Sequence, residues 1–272
     1  MKRQVIDWRD VIAIVASCRN DGLVATNFFP DEVRMSAWCR DGAFFEEHCG
    51  GTQFFVRKQA GFCNLYFMSK SPDAIVMDLK TFLSVNGKER WVVDLIGPDE
   101  ARQQLETAFA SHGFNLLTTL QRMGRRTPAE DFLQQPGVER ANPEDATTIK
   151  LLLDRYFIAE EEQLPDIGEI QRWIVAGTLY LVRGDAGNPI LGFAIFDLTP
   201  AALYLRYWFV HPDSRGRGVG GQLLKSMFVT GRGTKRQYFW VKTDNENAIK
   251  RYQHYGFQFE PMKDVVMAYT ST

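Results

Sequence analysis

The stretch that decides the fold reads FVHPDSRGRGVGGQLLKSMF and covers residues 209–228. It begins as an apolar run, passes through four glycines and two arginines in residues 215–221, and then becomes amphipathic. Glycine loses more backbone freedom on folding than other residues, so a turn this rich in glycine needs a reason. A strand that leads into such a turn at the start of a helix forms an anion site. The free N–H groups of the first turn point outward together, and the helix dipole adds partial positive charge.

Two common phosphate-binding loops do not fit this turn. A Walker A loop ends in G-K-[ST], and no such sequence follows here. The dinucleotide-binding fingerprint follows the first strand of its domain, whereas this turn follows a strand predicted to be the fourth. A flexible surface loop is the plain alternative. The strongly amphipathic helix predicted after the turn, with Val219, Leu223 and Met227 opposite Lys225 and Thr230, argues against that alternative.

A resemblance to a known family follows from two motifs. Residues 215–220, RGRGVG, fit the pattern [R/Q]-x-x-G-x-[G/A], and VHPDSRGRGVGGQLL resembles the signature of the GNAT superfamily of acyl-CoA-dependent N-acetyltransferases. The second motif, NENAIKRYQHYGF at residues 245–257, resembles the N-x-x-A-x-x-x-Y-x-x-x-G-F sequence that closes the family's domain. The resemblance covers about residues 137–272. It implies an α/β fold with a mixed sheet, the acyl-CoA N-acyltransferase fold.

The resemblance also implies how acetyl-CoA, or another acyl-CoA, binds as co-substrate without a metal. The backbone at the end of the fourth strand would pair with the pantetheine arm, and the glycine turn would hold the pyrophosphate through its N–H groups. Asn245 would bond the pantetheine or cap the next helix, and the two roles are compatible. The implied cofactor-binding residues are Phe209, Val210, Arg215, Gly216, Arg217, Gly218, Val219, Gly220 and Asn245.

Tyr252 occupies the position where the family often carries a general acid. A phenol there can protonate the departing CoA thiolate or stabilise it by a hydrogen bond. The structural alternative is a core aromatic residue beside Ala248 and Tyr255.

The general base is less well specified, because the fourth strand, ALYLRYWFV, contains no acid. Tyr204, Arg206 or Tyr207 could touch the substrate, but none is a base at neutral pH. The open candidates are a chain of waters, Asp197, and the acidic run Glu160, Glu161 and Glu162, a run that is more typical of a solvated face.

The first half of the chain echoes the second. FASHGF at residues 109–114 aligns with YQHYGF at residues 252–257, and each follows a predicted strand and helix. A polar stretch with three prolines, residues 125–143, separates the halves and places a boundary near 127–137. We predict tandem GNAT-like domains. Residues 1–126 form a degenerate one that shapes the acceptor pocket or is structural, and residues 137–272 form the catalytic one. The first half has Phe109 in place of the tyrosine and lacks the glycine turn, so it is a poor CoA site.

The predicted order of elements in the second half is β-α-α-β-β-β-α-β-α-β-β, with Asn142 capping a helix that begins at Pro143. In the first half, two helices precede a hairpin of strands at residues 52–58 and 62–69. A helix then starts at Ser71-Pro72-Asp73, followed by a strand at 90–97, a helix at 98–113 and strand material at 115–125.

Composition limits the possible partners. The chain has 272 residues, 24% charged residues and a formal net charge of −1, so no global field attracts nucleic acid or an acidic membrane. Its four cysteines form no C-x-x-C pair and are predicted to be reduced thiols. We find no secretory signal and no apolar run near ~20 residues, and expect a cytoplasmic monomer or homodimer.

The leading hypothesis is an N-acetyltransferase that moves an acetyl group directly from acetyl-CoA to a primary amine of a small-molecule or peptide acceptor. One alternative is an aminoacyl-tRNA-dependent transferase of tandem GNAT-like architecture. Another is a non-catalytic sensor that binds acyl-CoA. The sequence leaves the acceptor amine and the acyl chain length open.

Overall fold

The structure is a computed structural model that describes residues 2–127, 133–185 and 189–270. Two compact units form. The first combines Met1–Leu120 with Pro261–Thr272, and the second is Gln121–Glu260. Relative to the predicted division at 1–126 and 137–272, each unit therefore includes the closing segment of the other half of the chain. The predicted boundary near 127–137 lies partly outside the described residues.

The helices and strands follow the sequence prediction in most places. In the first half they are β1 (Arg3–Gln4), α1 (Trp8–Asn20), β2 (Ala25–Thr26), α2 (Glu32–Arg40), β3 (Phe44–Cys49), β4 (Thr52–Lys58), β5 (Cys63–Ser69), α3 (Pro72–Asn86), β6 (Trp91–Gly97), α4 (Asp99–Ala110) and β7 (Asn115–Arg126). In the second half they are β8 (Val138–Arg140), α5 (Asp145–Tyr156), α6 (Ala159–Glu162), α7 (Ile167–Val175), β9 (Leu179–Arg183), β10 (Ile190–Leu198), β11 (Ala202–Val210), a 3-10 turn (Pro212–Ser214), α8 (Val219–Thr230), β12 (Arg236–Lys242), α9 (Glu246–His254) and β13 (Gln258–Tyr269).

Several helices begin where the sequence offers a side-chain cap. Asp7, Asp31, Ser71 and Asp166 each accept a backbone N–H from the first turn of α1, α2, α3 and α7. These bonds satisfy donors that a helix cannot satisfy by itself. Among the described helices, none is long and apolar enough to cross a membrane.

The second half departs from the prediction at three points. Asn142 does not cap α5: the helix begins at Asp145, whose carboxylate accepts the Asn142 backbone N–H at 2.7 Å. The Asp145 side chain therefore bonds the main chain of Asn142, the residue that the sequence predicted as the cap. A short extra helix, α6, follows α5. The two predicted closing strands are one continuous strand, β13, which stays extended through Pro261.

The sheet of the first unit has the strand order β1-β3-β4-β5-β6-β13, and β2 pairs with β5. β5 and β6 run parallel, and β13 pairs antiparallel with β6 from Lys263 to Tyr269. Helices α3 and α4 bury Ile75, Phe82 and Phe109 against one side of this sheet. A second core includes residues of α1 and α2 together with Phe44, Phe55 and Tyr66.

The sheet of the second unit has the order β7-β12-β11-β10-β9-β8. Helix α8 packs on one face, where Val219, Leu223 and Met227 join the core that contains Leu205 and Phe239. This confirms the amphipathic helix predicted after the glycine turn. Helices α5 and α7 pack in a separate core, which also holds side chains of β9, β10 and β11.

The two similar motifs, FASHGF and YQHYGF, also share a backbone conformation. In both FASHGF and YQHYGF the glycine, Gly113 or Gly256, has a positive φ, +85° and +82°. In both, the N–H of the final phenylalanine donates to the carbonyl of the first aromatic residue, at 3.3 and 3.1 Å. Each motif therefore ends its helix in the same left-handed turn, where glycine carries no steric cost.

The four cysteines, Cys18, Cys39, Cys49 and Cys63, are free and buried. Burial raises the pKa of each thiol, to about 11 for Cys18. The thiols are therefore protonated near neutral pH and lack the thiolate that redox chemistry needs.

The packing of β13 in the first unit predicts a stability effect far from any functional residue. Met267 is buried in the core with Phe82 and Phe109, so Met267→Ala should lower the free energy of unfolding by about 2–5 kcal/mol in denaturant titrations. Phe259→Ala, at a side chain that is 49% exposed, should change it by less than about 0.5 kcal/mol. Equal effects of the two substitutions would contradict the packing of this strand.

Candidate functional site

The two central strands of the second unit separate before they end. Parallel pairing between β11 and β12 ends at Leu205 and Phe239, although the strands continue to Val210 and Lys242. On its other edge β11 stays paired with β10 as far as Val210. Main-chain groups of residues 206–210 that point toward β12 therefore have no ladder partner on that strand. An extended molecule with amide groups can pair in this gap.

A β-bulge at Arg206 marks the start of the gap. Ile195 of β10 pairs with Tyr207, and the next residue, Phe196, pairs with Leu205, which leaves Arg206 as the extra residue. A bulge of this kind bends the strand and changes which face its side chains occupy. Leu203 and Leu205 pack with α8, whereas Tyr207 and Phe209 pack in the core of α5 and α7.

The glycine turn lies directly between the end of β11 and helix α8. Gly216 and Gly218 have φ values of +78° and +85°, and a Cβ atom on either would meet nothing within 4 Å. Gly218 is the N-cap of α8, and the helix start receives no side-chain cap bond in the described part of the chain. The first N–H groups of an α-helix have no partner within the helix. The turn thus presents open backbone donors to an anion, with the exposed side chains of Arg215 and Arg217 beside them.

Gly220 has a different task from the other glycines of the motif. A Cβ atom there would lie 2.8 Å from Cζ2 of Trp208 and 3.3 Å from Cγ2 of Val210. The helix therefore packs closely on the end of β11 because this position has no side chain. This contact fixes the turn against the strand that lines the gap.

Three other predicted binding residues lie in this region with clear local roles. Val219, the first residue of α8, is buried in the core between that helix and the sheet, and Phe209 is buried in the core of α5 and α7, so each can offer a ligand only its backbone. Asn245 is the N-cap of α9 and accepts the Ala248 N–H at 3.3 Å. The capping role of Asn245 is therefore present, and its contact with pantetheine stays a prediction.

Tyr252 combines a buried ring with a free hydroxyl. Its ring centroid lies 4.1 Å from that of Phe239 and 5.5 Å from that of Trp208, so the ring is packed in the core. The hydroxyl has no hydrogen-bond partner within the described residues, and its oxygen is not fully buried. Burial raises the pKa of the phenol far above neutral. Tyr252 is therefore protonated at neutral pH, and its hydroxyl is available as a hydrogen-bond donor.

Asp197, one of the candidate bases, is already engaged. Its Oδ1 accepts the indole N–H of Trp173 at 2.7 Å, and its Oδ2 is ion-paired with Arg206 at the bulge. We assign it the role of holding the bulge residue. The described residues contain no group of three or more histidine, cysteine or acidic side chains arranged to hold a metal ion.

The comparisons with known proteins agree with this geometry. Residues 146–257 match the model of the acetyltransferase (GNAT) family. These residues therefore form a GNAT domain. No curated protein matches the sequence.

Solved structures show the fold over the whole chain. A tandem GNAT protein from the clavulanic acid biosynthesis pathway has a TM-score of 0.65 at 12% identity, covering 100% of this chain and 98% of that one. A GCN5-related N-acetyltransferase from Sphaerobacter thermophilus has a TM-score of 0.58 at 15% identity, with coverage of 98% and 94%. A third, from Kribbella flavida, has a TM-score of 0.57 at 12% identity and covers 94% of each chain. The fold is thus the tandem acyl-CoA N-acyltransferase fold.

The first unit contains a gap like that of the GNAT domain, but its own chain fills the gap. Pairing of β5 with β6 ends at Asn64 and Val92. The short strand β2 then lies along β5, with Ala25 opposite Ser69 and Thr26 opposite Met68. At the place where the GNAT domain offers an open strand edge, the described residues of the first unit therefore pair β5 with β2.

Asn27 completes this closure with its side-chain amide. Its Nδ2 donates to the carbonyl oxygens of Leu65 at 3.2 Å and Asp94 at 2.9 Å, one on each strand. Its Oδ1 accepts the Phe67 N–H at 2.7 Å. A buried amide of this chain thus satisfies the groups that an amide-bearing ligand would otherwise reach. The absence of a glycine turn pointed to a poor CoA site, and Asn27 adds a physical reason.

Two residues at the gap were not singled out from sequence. Trp208 carries a buried indole N–H that finds no partner among the residues the structure describes, and it packs against both Gly220 and Tyr252. Lys242, the last residue of β12, forms ion pairs with Glu161 and Glu162. The alternation of β12 places Lys242 on the same face as Trp240 and Tyr238, but its acidic partners are distant in sequence and gave no local signal.

The close approach at Gly220 gives a testable prediction. Gly220→Ala places a methyl group against Trp208 and should lower the free energy of unfolding by about 1–3 kcal/mol. Gly233→Ala is the matched control, because a Cβ atom there meets nothing within 4 Å. Denaturant unfolding measures both, and an unchanged Gly220→Ala protein would contradict the packing of α8 on β11.

Proposed function

We propose that the GNAT domain transfers an acetyl group from acetyl-CoA directly to a primary amine of a small-molecule or peptide acceptor. The observation that carries this proposal is the gap between β11 and β12, which opens beside an uncapped glycine turn and has Tyr252 packed at its edge. The gap suits an amide-bearing arm, and the turn suits a pyrophosphate. CoA carries both groups in one molecule.

Each element of the site would have a distinct task. The backbone of residues 206–210, which includes Phe209 and Val210, pairs with the pantetheine amides. The turn of residues 215–220 binds the pyrophosphate through its N–H groups, with Arg215 and Arg217 adding positive charge. The acceptor amine attacks the thioester carbonyl, and the sulfur leaves as a thiolate. Tyr252, protonated at neutral pH, donates to that sulfur.

Binding of acetyl-CoA at the glycine turn can be tested with two variants of equal size. Asn and Asp both tolerate the left-handed backbone of Gly218, but only Asp adds a negative charge at the pyrophosphate. In calorimetric titrations with acetyl-CoA we expect Gly218→Asp to bind at least ~10-fold more weakly than Gly218→Asn. Equal affinities would place the pyrophosphate elsewhere, and a wild-type chain that binds no acetyl-CoA would overturn the proposal.

The role of Tyr252 is tested by turnover. Acetyl-CoA is mixed with a panel of primary amines, and release of the CoA thiol is followed. With any amine that is acetylated, Tyr252→Phe should lower kcat by roughly 100-fold while the affinity for acetyl-CoA stays nearly unchanged. Tyr180→Phe is the control, because Tyr180 is as buried as Tyr252, at 7% exposure, and packs on Phe196 instead. Full turnover by Tyr252→Phe would remove this residue from the chemistry.

A further inference from the structure

We infer that Glu162 is the group that takes the proton from the acceptor amine, on the face of the sheet opposite Tyr252. This inference rests on the proposed acetyl transfer and adds the base that the sequence left open.

Helix α6 is tied to both strands that border the gap. From β11, the Tyr207 hydroxyl contacts the main-chain carbonyls of Glu162 at 3.2 Å and Gln163 at 3.0 Å. From β12, the Lys242 ammonium is ion-paired with Glu161 and lies 3.3 Å from Oε1 of Glu162. Because one set of contacts comes from each strand, the end of α6 lies across the gap between β11 and β12. Gln163, the C-cap of α6, has a φ of +45° and ends the helix in the left-handed conformation.

The Arg206 bulge puts this acidic segment and Tyr252 on opposite faces of the sheet. Trp208 faces the side of α8 and α9, where it contacts Tyr252. Tyr207, the preceding residue, faces the other side and holds α6. A thioester in the gap would thus have a donor on the side of its sulfur and a carboxylate on the side from which an amine can approach.

Glu162 is better placed to accept a proton than its neighbours. Asp197 is occupied by Trp173 and Arg206. Glu161 makes the shorter of the two contacts with Lys242, and Glu162 makes the longer one. Glu162 is also the residue that both strands contact, by Lys242 at its side chain and by Tyr207 at its main-chain carbonyl. Burial raises the pKa of the Glu162 carboxyl, and the Lys242 ammonium partly offsets that rise. A carboxylate with a raised pKa is a stronger base at neutral pH than an exposed one.

The proposed step balances as follows. The amine nitrogen forms a bond to the thioester carbonyl carbon, and one N–H proton passes to a Glu162 carboxylate oxygen. The C–S bond breaks, its electron pair stays on sulfur, and the thiolate takes a proton from Tyr252 or from solvent. The products are an amide and the CoA thiol. Glu162 returns its proton to solvent, and Tyr252 recovers one from solvent.

The charged neighbours of Glu162 predict in which direction each substitution should move its pKa. Activity that depends on a carboxylate is lost as the pH falls through the pKa of that group. The acidic limb of kcat/KM means this loss, after correction for protonation of the acceptor amine, which lowers kcat/KM by itself. The charged groups that act on the Glu162 carboxyl are the Lys242 ammonium and the Glu161 carboxylate. The Tyr207 phenol, protonated at neutral pH, donates to the Glu162 main-chain carbonyl instead. Removing the cation should raise the pKa of Glu162, and removing the neighbouring anion should lower it.

The experiment measures kcat/KM against pH for the full chain, with acetyl-CoA and an amine identified in the screen, and acetyl-CoA affinity by calorimetry. Glu162→Gln should lower kcat/KM by roughly 100-fold and remove the acidic limb, with affinity for acetyl-CoA unchanged. Lys242→Met should move the limb to higher pH, and Glu161→Gln should move it to lower pH. A purely structural role for the segment predicts no such opposite shifts.

The inference is overturned if Glu162→Gln keeps the acidic limb, or if Glu161→Gln and Glu162→Gln are equally impaired with the limb unmoved. A wild-type chain that binds acetyl-CoA but acetylates no amine overturns the proposed function itself, and this inference with it. These results therefore distinguish failure of this inference from failure of the proposed function.

Discussion

The separation of β11 from β12 after Leu205 and Phe239 is the constraint on which the rest of the second unit depends. It follows from the bulge at Arg206, which bends β11 away from its parallel neighbour while β10 stays paired along the other edge. Unpaired backbone inside a sheet is costly unless something satisfies it. The open edge of β11 is therefore the feature that the proposed pantetheine contact would satisfy, and the residues around it fix where the gap begins and ends.

The two units show opposite solutions to the same problem. Both contain a parallel strand pair that separates, and both end the following helix with the same aromatic and glycine turn. In the first unit Asn27 and β2 satisfy the strand edges from within the chain. In the second unit the edges stay open, and Gly216 and Gly218 leave space beside them. A likeness in fold therefore carries different consequences for ligand binding in the two halves.

Local features of the sequence predicted a large part of this arrangement. The glycine turn, the amphipathic α8, the helix start at Ser71 and the Asn245 cap all depend on residues within a few positions of one another. The features that the sequence did not predict depend on residues far apart in the chain. The bulge at Arg206 requires the register of β10, Asn27 bonds residues 38 and 67 positions away, and Lys242 pairs with Glu161 across 81 positions. The role of the first half in shaping an acceptor pocket stays a prediction.

Hydrogen exchange of backbone amides, measured with and without acetyl-CoA, tests the central claim most directly. If the gap holds the pantetheine arm and the turn holds the pyrophosphate, amides in residues 206–210 and 216–221 should exchange more slowly with the ligand present. Amides of β5 in the first unit should be unchanged, because Asn27 and β2 already occupy that edge. Ligand-dependent protection of β5, or none at all in residues 206–221, would contradict the account.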